Sequence, residues 1–512
     1  MHPADLFMAL WRRLQERRNE VCVLAQGLEA DHARAGRLAG EAAAQLRKGA
    51  AALETWVADG LDLDRVLAAA QAIDGWFAPL ASRYDVRAAE DPLPAERLEA
   101  RRRLNRDGRF NADAADGQLI LRPGLLARAM NIRETAPPGA DPARFDPVDL
   151  FASLLVVPPS LPIEAERDGD PDRRISVEYR RIAAVSDQDP ADPGWTPVIG
   201  IVPLAEAEDD LAIHQFRRDG EDWYDPAPRE LGRRAAAAIA GLAERGATFV
   251  LFPEVSVGAG TLDAIRQALC TQAVDGPIRY ALVGVKEEAE DGGRPHNRAL
   301  LLDRCGTVIA SQTKLHCWDL DSDQCRSYDL RDRNGRLLDC AREDIETGDC
   351  FTLFELPDLG RLAVAICEDL GRSEPSAWIA SGMMVDWLVT PVMDSGLTTE
   401  RWQAKEGGAS SRAGYCRVIV ANSMALSHRF NRYCRANGEE DKIIEECGVA
   451  LLFQPRASQA GAPRIQCLTL PLADPSPGHV CARWTPGRWP ALPDPAPADP
   501  EPPDPKPEES SE

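Results

Sequence analysis

Two short runs, residues 249–252 (Phe-Val-Leu-Phe) and 363–366 (Ala-Val-Ala-Ile), are apolar at every position. A strand with one wet face alternates polar and apolar residues, whereas a strand apolar throughout is covered on both faces. Such strands require helices or a second sheet on each side, so they constrain the chain to a layered α/β fold. The surroundings agree. Strand patterns occur at 198–203, 248–252 and 279–286, and a helix is marked by Leu231, Ala235, Ile239 and Leu242. Segments 298–303 and 307–312 flank a turn, Asp303-Arg-Cys-Gly306, and read as a hairpin. Further strands are predicted at 361–366, 385–391, 418–422, 449–453 and 464–470.

The rest of the chain differs. At 512 residues it is too long for one ordinary domain. Residues 1–135 read as a mainly α-helical accessory domain: Leu6, Leu10, Leu14, Val21, Leu24 and Leu28 recur at helical spacing, and helix patterns follow near 33–58, 62–83 and 94–104. Residues 136–197, broken by Pro, Asp and Gly, read as a linker with short ordered pieces; residues 148–157 within it are apolar. The α/β domain is expected over 198–475, and 476–512 is a Pro- and acid-rich tail expected to be disordered.

A formal net charge of −23, from 82 acidic and 59 basic residues, argues against binding to nucleic acid or an anionic membrane. The 13 Cys residues show no Cys-x-x-Cys spacing, which fits a reducing cytoplasm better than a disulfide framework. Charges at Arg12, Arg13, Glu16, Arg17 and Arg18 interrupt every apolar run of the first 30 residues, so neither a signal peptide nor a membrane span is predicted. No Walker loop, Rossmann fingerprint or metal-spaced His cluster occurs, so no cofactor and no metal is expected.

Three reactive side chains lie just beyond strand-forming runs: Glu254 in Phe249-Val-Leu-Phe-Pro-Glu254, Lys314 in Gln312-Thr-Lys-Leu-His316, and Cys367 in Ala365-Ile-Cys-Glu-Asp-Leu370. Open α/β sheets place ligand sites at the C-terminal edges of their strands. A nucleophile on a strand-to-helix turn also faces backbone N–H groups that can hold an oxyanion. Taken singly, each has a plain alternative: a loop acid, a surface lysine, a core thiol. Carboxylate, ammonium and thiol together are the groups needed for acyl transfer through a thioester.

The order and contexts of the three stretches resemble the nitrilase superfamily of carbon–nitrogen hydrolases. Downstream, Asp386-Trp-Leu-Val-Thr-Pro391, Trp402, Ser411-Arg-Ala413 and Val420-Ala-Asn422 extend the resemblance over roughly residues 198–475. It implies an α-β-β-α sandwich, preceded here by the helical domain. It implies Glu254 as general base, Lys314 as stabiliser of the tetrahedral intermediate, and Cys367 as nucleophile. The backbone N–H of Glu368 would serve as an oxyanion donor. A second glutamate between Lys and Cys is implied too; Glu346 fits through the Gly348 that follows it, with Glu343 the alternative. His316 reads as structural. The implied activity is hydrolysis of an amide, carbamoyl or nitrile carbon–nitrogen bond in a small molecule. The alternatives are an inactive binding or sensor protein, and an N-acyltransferase using the same triad. Cys-Glu-Asp is similar to the glutaminase domain of glutamine-dependent NAD synthetase, but the Ser-Gly-Gly nucleotide loop is absent. Family members associate, so a homo-oligomer is expected, and the N-terminal domain is a candidate surface for a protein partner.

Overall fold

The computed structural model describes residues 3–59, 62–81, 118–121, 154–157, 160–164, 173–182, 197–272, 276–289, 293–332, 334–356, 359–377, 379–380, 383, 385–414, 416–454, 463–472 and 480–483. Five helices open the chain: α1 (Pro3–Glu16), α2 (Arg18–Ala30), α3 (His32–Lys48), α4 (Ala50–Ala58) and α5 (Leu63–Ala81). The predicted helical stripe is their buried face: Leu6, Leu10, Leu14, Val21 and Leu28 are all buried, against Leu53, Leu67 and Ile73 of the same cluster. The predicted helix at 94–104 lies outside the described residues.

The strands follow in chain order. β1 (Gln118–Leu121) and β2 (Leu154–Val157) form an antiparallel pair. Then come β3 (Ser160–Pro162), β4 (Arg174–Arg181), β5 (Val198–Ile201), β6 (Leu211–Arg218), β7 (Glu221–Pro228), β8 (Phe249–Leu251), β9 (Tyr280–Glu287), β10 (His296–Asp303) and β11 (Val308–Thr313). β12 (Asp319–Leu320), β13 (Ala341–Glu343), β14 (Cys350–Leu356), β15 (Gly360–Val364), β16 (Trp387–Val392), β17 (Arg417–Asn422), β18 (Glu446–Gln454), β19 (Arg464–Pro471) and β20 (Val480–Arg483) complete the set. One sheet has the order β11-β10-β9-β8-β5-β20 and a second the order β19-β18-β17-β16-β15-β14-β4-β3. A smaller sheet has the order β12-β13-β7-β6.

The apolar runs show why the layers form. Along β8 and its flank, Phe249 and Leu251 enter one core cluster while Val250 and Phe252 enter another. Tyr280 and Leu282 of β9 likewise part from Ala281 and Val283. The second cluster holds Ala235, Ile239 and Leu242 of helix α6 (Gly232–Glu244) and Ile265 and Leu269 of helix α7 (Ala259–Thr271). The first joins the inner face of this sheet to Phe351, Leu353, Leu362 and Val364 of the other sheet. Helix α8 (Trp402–Gly414) packs on β17 and β18 from outside, closest at Gly407, where a Cβ would lie 2.8 Å from the Phe453 ring. The order is therefore helix, sheet, sheet, helix, an α-β-β-α sandwich. Each fully buried large side chain contributes roughly 1.5–3 kcal/mol.

Ordered strands also lie on either side of the expected α/β domain. β3 and β4 are ordered pieces within the stretch read as a linker with short ordered pieces, and β4 pairs in parallel with β14, from Ser176 opposite Cys350 to Arg181 opposite Glu355. The alternation Ile175, Val177, Tyr179 carries this strand, and the Pro- and Asp-rich segments on either side mask it in the sequence. β20, in the stretch read as disordered tail, pairs antiparallel with β5 and closes that sheet edge. No helix among the described residues is long and apolar enough to cross a membrane.

Candidate active site

β8 ends at Leu251, and Phe252-Pro253 carries the chain into the turn that presents Glu254. Val255 sits at φ +46°, a conformation that costs a β-branched residue energy and that persists only where its surroundings enforce it. They do so here. The Ser256 hydroxyl donates to the Pro253 carbonyl at 2.8 Å, and the N–H groups of Ser256 and Val257 both donate to the Gly284 carbonyl at 3.2 Å. Gly284, on the neighbouring β9, must be glycine: a Cβ there would lie 2.0 Å from the Pro253 oxygen and 2.8 Å from the Glu254 Cα.

Lys314 follows β11, and its N–H extends the hairpin ladder by donating to the Asn297 carbonyl at 2.8 Å. Its Nζ lies 2.8 Å from Glu254 Oε1 and 2.6 Å from Glu343 Oε2. Asn297 Nδ2 donates to Glu254 Oε1 at 2.8 Å and to Glu343 Oε1 at 3.1 Å, closing a ring of four side chains. Glu254 and Lys314 are each 1% exposed and Glu343 is 0% exposed. Among the described residues, Glu254 Oε2 has no hydrogen-bond partner.

Of the two candidates for the second glutamate, the structure brings Glu343, the alternative, against Lys314, and does not bring Glu346 there. Parallel pairing of β13 with β7 sets Glu343 beside Tyr224 and Arg342 beside Trp223, so alternation sends Glu343 inward. Trp318 N–H, at 3.0 Å, fixes its Oε2. Glu346 lies beyond the strand end and is exposed; its backbone N–H donates to the Pro295 carbonyl at 2.8 Å. A three-residue strand within an Asp- and Arg-rich stretch left no pattern by which to choose between them.

Cys367 follows β15 by way of Ala365-Ile366 and occupies φ +47°, ψ −105°, at the start of a one-turn helix (Glu368–Gly371). Its N–H donates to the Pro391 carbonyl at 3.0 Å, tying it to β16. Such a strained bend between strand and helix is the geometry of a nucleophile turn. The Glu368 side chain points away, 2.7 Å from the Arg372 guanidinium.

Asp369 joins the Lys and Cys loops. Its carboxylate accepts from Leu315 N–H at 3.2 Å, His316 N–H at 3.0 Å and Ile366 N–H at 3.2 Å. His316 Nδ1 lies 2.9 Å from its Oδ1. The residue two positions after Lys314 thus clasps the residue two positions after Cys367. That holds the Lys314 and Cys367 loops in one frame, with His316 as one of the links.

The electrostatics follow from burial and this charge arrangement. Burial pushes the Cys367 thiol well above its ordinary value; Glu254 and Glu343 push it the same way and Lys314 opposes them. Burial alone would lower the Lys314 ammonium, but the two glutamates outweigh it and hold Lys314 well above the usual lysine value. Burial raises Glu254; Lys314 opposes that shift and Glu343 adds to it. Burial and these charges thus set a thiol and a carboxylate, both of raised proton affinity, beside a firmly charged ammonium.

Sequence reasoning missed Asn297 and Gly284. Asn297 had a signal: it shares the inward face of β10 with Ala299 and Leu301, where a polar residue needs a buried partner. Gly284 had none, because its necessity comes from a neighbouring strand.

An α-β-β-α sandwich with a buried glutamate, lysine and cysteine at its strand ends is the architecture of the nitrilase superfamily. Residues 212–458 match the family model described as carbon-nitrogen hydrolase, and the chain carries a domain of that family. Among solved structures, the C. elegans NitFhit protein is 18% identical over 44% of this chain and 51% of its own, with a TM-score of 0.33. This chain thus spans about half the length of that protein. An amidase from Nesterenkonia sp. is 16% identical over 54% of this chain and 90% of its own, with a TM-score of 0.33. The glutamine-dependent NAD+ synthetase of Acinetobacter baumannii is 13% identical over 57% and 46%, with a TM-score of 0.33. No curated protein sequence matches the chain. At these TM-scores the functional reading rests on the family match and on the site's own geometry.

Proposed function

We propose that Glu254, Lys314, Glu343 and Cys367 form the active site of a hydrolase for a non-peptide carbon–nitrogen bond in a small amide, carbamoyl compound or nitrile. The observation that carries the reading is the division of labour on Glu254. One oxygen is held by Lys314 and Asn297, and the other has no partner among the described residues and can take a proton.

For an amide, Glu254 takes the Cys367 thiol proton as sulfur bonds to the carbonyl carbon. Lys314 and the Glu368 backbone N–H, which has no intrahelical partner at the first position of its helix, hold the developing oxyanion. The carbon–nitrogen bond breaks, and ammonia or amine leaves with the proton carried by Glu254. Water then gives Glu254 a proton and attacks the thioester carbon; the acid departs and the thiol regains its proton. Glu343 keeps Lys314 charged and aimed.

The described cysteines include 11 free thiols, which supports a reducing, cytoplasmic setting. Assembly belongs to the same proposal, and light scattering reads the oligomer.

Replacing Cys367 with Ala is expected to abolish ammonia release from an amide library while leaving the circular dichroism spectrum unchanged. Undiminished release defeats the proposal. Product analysis with added hydroxylamine separates transfer to water from transfer to an amine. A folded wild-type protein that turns over nothing would be a binding protein.

A further inference from the structure

We infer that Asn297 is a positioning residue for the proposed base: its amide clamps one carboxylate oxygen of Glu254 against Glu343, so that the Cys367 proton is delivered to the other oxygen. The inference rests on the hydrolase reading above and assigns a residue that the Glu, Lys and Cys motifs do not contain.

Asn297 lies on β10 opposite Lys286 of β9, with its side chain on the inward face it shares with Ala299 and Leu301. It is 1% exposed. Both halves of the residue act on the reactive cluster. Its backbone carbonyl accepts from the Lys314 N–H at 2.8 Å, which sets where the lysine leaves the hairpin. Its side-chain Nδ2 donates to Glu254 Oε1 at 2.8 Å and to Glu343 Oε1 at 3.1 Å, and these are the two carboxylates that hold the Lys314 ammonium. One strand residue therefore fixes the root of the lysine and both acceptors at its tip. The amide can point only one way, because turning it over would set Oδ1 against two carboxylate oxygens. That orientation leaves Oδ1 buried with no partner among the described residues. An unmet buried acceptor costs stability, so the fold gives up some stability to keep both donors on the glutamates.

What the amide adds to the lysine is direction. An ammonium has three rotatable donors and can follow either oxygen of a carboxylate as that group turns. A planar amide on a paired strand cannot follow. Its two N–H bonds diverge from one nitrogen, one to each glutamate. With Glu254 Oε1 taken by Lys314 and Asn297 together, rotation of the carboxyl would break two hydrogen bonds, and Oε2 stays the open oxygen. The same contact bears on proton affinity: burial raises Glu254, and the Asn297 donor opposes that rise. Removing the donor therefore disturbs both the geometry of the base and the pH at which it ionises.

The test sets Asn297→Leu, which keeps the size and shape of the side chain without its donors, beside the wild-type protein. Two profiles are measured against pH: kcat/KM for ammonia release from the best substrate of the amide library, and the rate of Cys367 alkylation by iodoacetamide read by mass spectrometry. In Asn297→Leu the acid limb of both is expected to rise by about one pH unit, the worth of one hydrogen bond to a carboxylate. Its kcat is expected to fall by about tenfold to a hundredfold with KM nearly unchanged, as misplacement of a base requires. An unmoved acid limb overturns the inference even if the rate falls, because a residue that only fills space leaves the limb where it was; the hydrolase reading then stands. Asn297→Ala removes the same donors and decides the matter if the Leu variant does not fold. Loss of the folded state in both variants overturns the inference and assigns Asn297 to stability alone. A wild type that is alkylated but hydrolyses no amide defeats the hydrolase reading and leaves the alkylation limb to judge Asn297. A wild type that does neither ends both.

Discussion

Asp369 and Glu254 are buried carboxylates that grip adjacent residues of one loop, yet they are held in opposite ways. Asp369 is saturated: three backbone N–H groups and the His316 ring surround it. Glu254 is half satisfied: Lys314 and Asn297 share one oxygen and the other has no partner among the described residues. A saturated buried carboxylate fixes geometry, and a buried group with an open lone pair stores reactivity at a cost in stability. One molecule thus uses the same functional group as a clasp and as a candidate base, and the surrounding donors alone distinguish them.

The comparison breaks most sharply at Lys314. Lys314→Met leaves Glu254 and Glu343 buried and uncompensated, so unfolding in urea is expected to show a loss of roughly 3–5 kcal/mol, with ammonia release abolished. Retained stability would mean that the two carboxylates do not depend on the ammonium. The clasp is tested next. Asp369→Asn turns an N–H donor toward the donors that Asp369 satisfies, so a loss of about 1–3 kcal/mol is expected together with lowered kcat. A drop in activity without one in stability would make Asp369 part of the chemistry.

The pH profile sharpens the contrast further. Glu254 must be ionised to act as base, and burial holds its proton affinity above the usual carboxylate value, with Glu343 adding to the effect. The acid limb of kcat/KM is therefore expected above the ordinary carboxylate range. In Glu343→Gln, which removes a charge that raises Glu254, the limb is expected to move to lower pH; an unmoved limb would assign it to another group. The same raised value means that Glu254 favours the folded state fully only below its ordinary pKa, a contribution lost as pH rises through the raised one. The smallest effect is expected at exposed Glu346: Glu346→Ala should change stability by no more than about 0.5 kcal/mol and leave the rate unaltered. A large loss there would restore Glu346 as the second glutamate.

What the sequence made legible follows the length and regularity of its elements. Glu254, Lys314 and Cys367 stand at the ends of strands whose apolar runs or hairpin turns announce them, so both the sandwich and these positions could be read. Glu343 could not, because β13 is three residues long and its inward face is set by pairing with β7, itself distant in sequence. β4 was hidden for a related reason: its partner β14 is remote, and prolines and aspartates surround it. Gly284 and Asn297 owe their roles to what lies opposite them, which no linear pattern records. Tertiary pairing, more than local propensity, decided each of these.

The pairing of β4 with β14 also sets an order of events at the ribosome. Ser176 lies against Cys350, so β4, paired on its other side with the short β3, has no partner on this side until the chain has been synthesised well past the lysine loop. Until then that edge of β4 is unpaired. Long-range strand pairing of this kind slows folding and exposes intermediates to association. The nascent protein should therefore depend on chaperones most while it is between those two strands, a window that opens long before Cys367 has been made.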